Sequence, residues 1–530
     1  FVANANINTV AVFEVEEPGR ARSLGFIPVG WYPTSVRVTP DGKRLLVANG
    51  KGVSSRSNRY LAQPGRKAMT GVQQYIGSLF DGTISFIDLP TGDAFGKRLA
   101  AWSERAFACV PDSARWLDPA QLEDNPIPRK EGDPTAIKYV IYIVKENRTY
   151  DQVLGDLERG NGDPSLCLFD EKIAPNHHAL AREFVCLDNF YVESEVSADG
   201  HEWSMGAYAT DFVEKNWPLT YGHDRRNKFP YPSEGSFDRI ARPAGGYLWD
   251  RANEAGVSYR SYGEWVANGA KPDDPGRAKV KALEDHFDPM FRSFDMAYPD
   301  VKRAARFISE LKRFEQEGDM PRLQIVRFPN DHTSGASPGM PTPLAHMADN
   351  DLAFGQVVEA LSHSKFWPQM AIFVVEDDAQ NGPDHVDAHR TIAFAISPFA
   401  RRGAVDSSMY STSSMLRTME LILGLKPMSQ FDAAALPMFA SFQKAPDLRP
   451  YDRKSAEIDM KATNPRTAWG ADKSLEMDFS KEDAADDIVL NEVIWRSIRG
   501  ADSPMPAPRR AAFVFTKADS DDDDDDDDKR

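Results

Sequence analysis

Four short, almost wholly apolar runs limit what this chain can fold into more than any other feature. They are Tyr139-Val-Ile-Tyr-Ile-Val144, Leu323-Gln-Ile-Val-Arg-Phe328, Ala371-Ile-Phe-Val-Val375 and Thr391-Ile-Ala-Phe-Ala-Ile396. Each is too short for a core helix and lacks the polar alternation of a half-exposed strand. Such runs suit a sheet covered on both faces. Helical periodicity lies between and after them, at 301–316, 349–362 and 413–423. Strands alternating with helices predict an α/β domain, a sheet layered between helices, at 136–445.

The preceding segment has another pattern. Asn8-Thr-Val-Ala-Val-Phe-Glu-Val15, Ser35-Val-Arg-Val-Thr39, Arg44-Leu-Leu-Val-Ala-Asn49 and Gly82-Thr-Ile-Ser-Phe-Ile-Asp88 read as strands, and Pro40-Asp-Gly42 as a hairpin turn. Val2-Ala-Asn4 echoes Val47-Ala-Asn49, a repeat of about 45 residues, the size of a propeller blade. Residues 51–80 read as an insertion, and 96–135 as a linker rich in Pro and charge. Beyond 445, residues 446–515 read as a C-terminal extension with a helix at 485–499. Residues 516–530 read as an acidic tail, with Asp at every position from 521 to 528; such a block is expected to be solvated and disordered.

A length of 530 residues predicts two domains, one of them large, and the net charge of −17 excludes a general nucleic-acid binder. No apolar run is long enough for a transmembrane helix. The chain begins Phe-Val-Ala-Asn, with neither Met nor a signal peptide, which leaves room for an upstream piece. Cys109, Cys167 and Cys186 read as small buried hydrophobes, with a Cys167–Cys186 disulfide as the alternative. None has zinc-ribbon spacing.

Sites in open α/β sheets form at the carboxyl ends of strands. Two of the four runs end in acids, as Val144-Lys-Glu-Asn-Arg-Thr-Tyr-Asp151 and Val375-Glu-Asp-Asp-Ala-Gln380. Carboxylates gathered at one place repel, so a cation is the usual compensation, and oxygen donors suit a hard divalent ion. Equally, each could be a solvated loop. The histidines tilt the balance: of ten in the chain, His332 follows Asp331 after a strand, His385 and His389 follow the second acidic run, and His201 lies in Ser197-Ala-Asp-Gly-His201. His177 and His178 read as structural. The aromatics between 202 and 300 read as packing rather than as ligand walls.

Glu146-Asn-Arg-Thr-Tyr-Asp151 resembles the Glu-Asn-x-Ser/Thr-Phe-Asp signature of the phosphoesterase family of acid phosphatases and bacterial phospholipases C. That family belongs to the alkaline phosphatase superfamily. Asp377-Asp378 with His385 resembles the family's Asp-Glu-x-x-Gly-x-x-Asp-His-Val, with Asp378 in place of the usual Glu. Gly30-Trp-Tyr-Pro33, Thr39-Pro-Asp-Gly42 and Val47-Ala-Asn49 resemble the YVTN-type β-propeller repeat. The resemblance implies an alkaline-phosphatase-like αβα sandwich at 136–445, preceded by a partial propeller at 1–95. It also implies a periplasmic or secreted hydrolase of phosphate esters.

By the same resemblance, Glu146, Asn147, Asp377 and Asp378 hold a divalent metal, and Ser197 is the nucleophile, forming a phosphoseryl-type intermediate. Ser194, Ser204 and Thr149 compete for that role. His201, His332 and His385 line the phosphate. One ion is favoured over two; Asp331, His332, His385 and His389 are the candidates for a second. Calcium, zinc, manganese and magnesium stay open, as do monoester, diester and phospholipid substrates. A sulfatase is set aside because Cys109-Val-Pro-Asp-Ser lacks the Arg of a Cys/Ser-x-Pro-x-Arg segment. The rival of another class is a non-catalytic surface or periplasmic binding protein with a propeller module and a degenerate phosphoesterase domain.

Overall fold

The structure, a computed structural model, describes residues 1–17, 19–53, 82–109, 125–221, 230–380 and 382–506. The described residues form two compact units, one within 1–109 and the other within 125–506.

The larger unit is built on a five-stranded sheet. Its order is Tyr259–Tyr262, Leu323–Phe328, Tyr139–Lys145, Met370–Glu376, Ala393–Ile396. The first four strands are parallel and the last runs antiparallel to its neighbour. Alternation along the central strand explains its apolar sequence. Tyr139, Ile141 and Ile143 join one core, while Val140, Tyr142 and Val144 join the other. Helices Asp300–Glu317 and Pro343–Ser362 fill the first core with Phe307, Leu311, Phe354 and Val358. Helix Thr412–Leu423 fills the second with Met415, Leu416 and Met419. Every side chain of the central strand is therefore buried, and the three-layer α/β arrangement follows.

This unit does not stop at 445. Tyr451, Leu490, Ile494 and Trp495 belong to the first core, the last three from helix Asp487–Arg499. The stretch expected to be an appended extension is part of the domain, because one apolar face of that helix is buried there. The aromatics between 202 and 300 also pack: the rings of Tyr247, Trp249 and Trp265 lie 4.4–5.1 Å apart, all buried.

The smaller unit holds two three-stranded antiparallel sheets. One is Val2–Asn4, Thr9–Glu17 and Arg20–Pro28; the other is Trp31–Val38, Arg44–Gly52 and Thr83–Asp88. Gly42, at φ +69°, supplies the left-handed residue of the turn between Trp31–Val38 and Arg44–Gly52. Each sheet is one strand short of a four-stranded blade, and no ring of blades closes among the described residues. Where a linker was expected from 96, a helix runs over Asp93–Ala108. Phe95, Leu99 and Trp102 recur at helical spacing and join the core of this unit. Ser103 Oγ accepts the Phe26 N–H at 2.8 Å. The Pro- and charge-rich composition that suggested a linker belongs to the residues after this helix. Residues 516–530, including the Asp run, lie outside the described residues, as does most of the 51–80 insertion.

Candidate functional site

Parallel register brings the two acidic motifs together. Glu376 is paired with Lys145 at the ends of adjacent strands, and the Asp377 N–H donates to the Lys145 carbonyl at 3.0 Å. Glu146 and Asn147 therefore leave one strand beside Asp377 and Asp378 leaving the next. Asn147 turns there through φ +69°, left-handed backbone that Asn enters more readily than most residues other than glycine.

A helix at Ser197–Gly206 closes the site. Ser197 and His201 are four residues apart and so share a helix face. The helix sits close because residue 200 is glycine: a Cβ there would lie 2.7 Å from the Asp377 carbonyl oxygen. The start of the helix is held by carboxylates. Asp199 accepts the N–H groups of Glu195 and Val196 at 3.0 and 2.9 Å. Asp483 accepts those of Ser197 and Ala198 at 3.0 and 2.7 Å. Ser197 Oγ donates to Asp378 Oδ2 at 3.1 Å.

The other candidate hydroxyls are placed differently. Ser194 Oγ donates to the backbone carbonyl of Asp377. Thr149 Oγ1 donates to the Pro383 carbonyl and caps the helix Tyr150–Leu154. Ser204 Oγ is buried without a partner, and the phenol of Tyr142 is its polar neighbour.

Electrostatics mark the cluster out. Glu146, Asn147, Asp377 and Asp378 are at most 1% exposed. Glu146 Oε2, both polar atoms of the Asn147 amide, both oxygens of Asp377 and Asp378 Oδ1 have no hydrogen-bond partner. Buried carboxylate oxygens without partners are costly. Burial, with Asp378 and Glu146 close by, pushes Asp377 well above the usual carboxylate range. Burial, with Asp483 and Asp199 close by, does the same to Asp378. Glu146 is held low: against the effect of burial, Arg327 and His201 stabilise its charge. Glu146, His201 and Asp377 each offer a donor atom within 4.8 Å of the others. Orphaned oxygens, an amide oxygen and one imidazole are a donor set that fits a divalent cation. Glu376 stands apart from them, paired with Lys145 Nζ at 2.9 Å.

The histidines divide. His201 is fully buried, with Nε2 2.8 Å from Arg327 Nη2 and 3.6–3.7 Å from Asp377, Glu146 and Glu234. Its Nδ1 lies 3.3 Å from Glu264. Burial opposes its charge, but Glu264, Glu234 and Glu146 outweigh burial and Arg327 together and hold its pKa well above normal. His332 is buried between Phe294 and Phe479, with Nδ1 on the Thr333 carbonyl; burial lowers its pKa.

His385 and His389 are drawn elsewhere. His385 binds Asp151 at 2.6 Å and Asn161 at 3.2 Å. His389 lies against Asp387 and Glu195. Asp331 takes the Lys145 ammonium at 2.6 Å and the Glu146 N–H at 3.1 Å. The four residues considered for a second ion are thus engaged with separate partners rather than brought to one point.

Several participants escape sequence reasoning. Arg327 donates to Glu146 Oε1 through both Nε and Nη2, and through Nη1 to Glu234 at 3.2 Å. Glu482 also lies 3.2 Å from its Nη1. A charged residue inside an otherwise apolar strand was the available signal. Glu264, with both carboxylate oxygens buried and without a hydrogen bond, and Asp483 carry no local motif.

Among smaller readings, all three cysteines are free, so the Cys167–Cys186 disulfide is not formed. Cys186 Sγ lies against the Tyr150 hydroxyl and Cys167 Sγ against Asp156. His177 and His178 are bound to Asp351 and Asp156 and brace the fold.

The family model described as "Phosphoesterase family" matches residues 159–426, half of the chain, and the chain belongs to that family. No curated protein matches it. Among solved structures, a protein in the alkaline phosphatase superfamily from Vibrio parahaemolyticus is 18% identical. That match covers 59% of this chain and 73% of the other, at a TM-score of 0.38. A phosphonate monoester hydrolase of Agrobacterium radiobacter is 13% identical over 55% of this chain and 74% of the other, at a TM-score of 0.34. Likenesses this distant carry no argument about the site. No helix among the described residues is long and apolar enough to cross a membrane.

Proposed function

We propose that this member of the phosphoesterase family hydrolyses phosphate esters, with Ser197 as the attacking hydroxyl and a divalent ion held by Glu146, Asn147, Asp377 and Asp378. The observation that carries this reading is the convergence of orphaned, fully buried donor atoms from two strand ends beside Ser197 Oγ. Buried carboxylates without partners either take up protons or meet a cation, and a divalent ion would compensate all of these donor atoms at once.

A bound divalent ion would act as a Lewis acid on the phosphoryl oxygens and favour the alkoxide of Ser197. The chain's own groups account for the rest. Ser197 Oγ attacks phosphorus as the ester P–O bond breaks, and its proton passes to Asp378. Solvent protonates the departing oxygen, while His201, accepting an Arg327 N–H at Nε2 and facing Glu264 through Nδ1, keeps its place beside the acids of the site. For a monoester, water then attacks phosphorus and loses a proton to solvent while Asp378 returns its proton to Ser197 Oγ, so the Ser197–phosphorus bond breaks and inorganic phosphate leaves. Arg327 fixes Glu146 and His201 in place through direct hydrogen bonds. His385, bound to Asp151, stands outside this sequence of steps.

The test is hydrolysis of a chromogenic phosphate ester by the full chain. Ser197→Ala is expected to lower turnover by about a thousandfold or more, with the fold intact by circular dichroism. Turnover equal to that of the unaltered chain would remove Ser197 from the mechanism.

Residues 1–95 are assigned in the same proposal to a blade-like module of YVTN type, and the enzyme to the periplasm or the exterior of the cell. The antiparallel sheets and the repeated Val-Ala-Asn support the first assignment. Family resemblance supports the second.

A further inference from the structure

Two carboxylates from far along the chain lie on the start of the Ser197–Gly206 helix and on Arg327. Asp483 spans the first two N–H groups of the Ser197–Gly206 helix, one oxygen on each. Glu482, its neighbour, faces Arg327 Nη1. Two convergent N–H groups at a helix N-terminus and a guanidinium are what a tetrahedral oxyanion seeks. Beside them lie the orphaned oxygens of Asp377, Asp378 and Glu146, which point to a ligand here independently of the helix end.

Two further observations separate this contact from ordinary capping. Caps come from residues next to the helix they cap, and Asp199 already serves the Glu195 and Val196 N–H groups. Asp483 comes from 286 positions along the chain. Access gives the second observation. Ser197 is 1% exposed and Asp378 fully buried, so an ester reaches the hydroxyl only if a covering segment moves.

We infer that segment 481–483 is an internal carboxylate strap that occupies the phosphoryl-oxygen receptor formed by the Ser197 and Ala198 N–H groups and Arg327, and that it withdraws when a phosphate ester binds. The inference rests on the proposed function and adds its regulation: strap and substrate compete for one receptor. Ligands with at least two anionic phosphoryl oxygens, monoesters before diesters, displace it best, since they replace both carboxylates.

The test is calorimetric binding of inorganic phosphate to the full chain carrying the metal it retains on purification. Asp483→Asn and Glu482→Gln each remove one competing charge while keeping shape. Each is expected to bind phosphate more tightly, by about tenfold, because a larger fraction of molecules is open. Affinity unchanged or weakened in both variants overturns the strap. A loss of bound metal in Asp483→Asn overturns it as well, by making Asp483 a ligand of the ion. Where Asp483→Asn does not fold, Glu482→Gln, which leaves the helix start intact, decides alone. The two ideas fail separately: Ser197→Ala with full turnover defeats the enzyme reading, and unchanged phosphate affinity in a hydrolysing enzyme defeats the strap.

Discussion

Two clusters in the larger unit look alike on paper and differ in physics. Glu146, His201 and Asp377 form one; Asp151, Asp384 and His385 form the other, and each brings its donor atoms within metal-binding reach. In the second, Arg390 is buried among the acids. It donates to Asp151 Oδ1 at 2.9 Å, to both oxygens of Asp384, and to the carbonyls of Asn161 and Asp188. The remaining oxygen of Asp151 takes the N–H and ring of His385. That network is closed. In the first cluster Arg327 is spread over Glu146, Glu234 and Glu482, and neither oxygen of Asp377 accepts a hydrogen bond. What distinguishes a place for an ion is therefore not how many acids gather but how many of their lone pairs stay unanswered.

Substitutions can break this contrast. The largest effect is expected from Asp377→Asn, which should remove bound metal and lower hydrolysis by about a hundred- to a thousandfold with little change in fold. Elemental analysis beside a rate assay checks it. Arg390→Ala should do the reverse: stability falls by about 3 kcal/mol or more, the cost of leaving buried charges unpaired, while metal content per folded chain holds. Denaturant unfolding measures that. Loss of the metal with Arg390→Ala but not with Asp377→Asn would exchange the roles of the two clusters.

Gly200→Ala sharpens the contrast by moving Ser197, the proposed nucleophile, instead of the proposed ligands. The added methyl meets the Asp377 carbonyl at 2.7 Å, so the helix must shift. Turnover should fall by about a hundredfold, since a displacement near 1 Å is enough, and metal should stay.

The effect furthest from the chemistry concerns Glu202, on the same helix. Burial pushes its carboxyl up to about 8, against hydrogen bonds from Tyr247 and Ser233 that oppose the rise. A folded pKa raised above the unfolded value stabilises the fold fully at low pH. That contribution is lost as pH climbs from the ordinary Glu range through about 8. Glu202→Gln cannot ionise, so its melting temperature should gain on the unaltered chain across that window and run parallel above it. A constant difference at all pH values would contradict the assignment.

Much of this architecture was legible beforehand, for identifiable reasons. The buried strands announced themselves by unbroken apolar runs, since a strand covered on both faces has no polar side to show. The position of Glu146, Asn147, Asp377 and Asp378 at or just after strand ends was legible because apolar runs precede them. The placement of His385 and His389 was not, since proximity in sequence to Asp378 says nothing of Asp151 and Glu195, which capture them. Asp483 was out of reach for the same reason: its partners lie nearly 300 residues away, and a Pro- and charge-rich composition hid a segment that enters the site. The helix Asp93–Ala108 was missed because the charges that follow it outweighed its own apolar spacing.

The central claim is that the orphaned oxygens around Ser197 exist to hold a cation that the phosphate-ester chemistry requires. Its most direct test is elemental analysis of the purified full chain, beside that of Glu146→Gln/Asp377→Asn, with chromogenic phosphate-ester hydrolysis measured before and after chelation. The account predicts a bound divalent ion in the unaltered chain, its loss in the double variant, and hydrolysis that chelation abolishes and metal restores. A metal-free chain that hydrolyses the ester at full rate, or a double variant that keeps its ion, would contradict it.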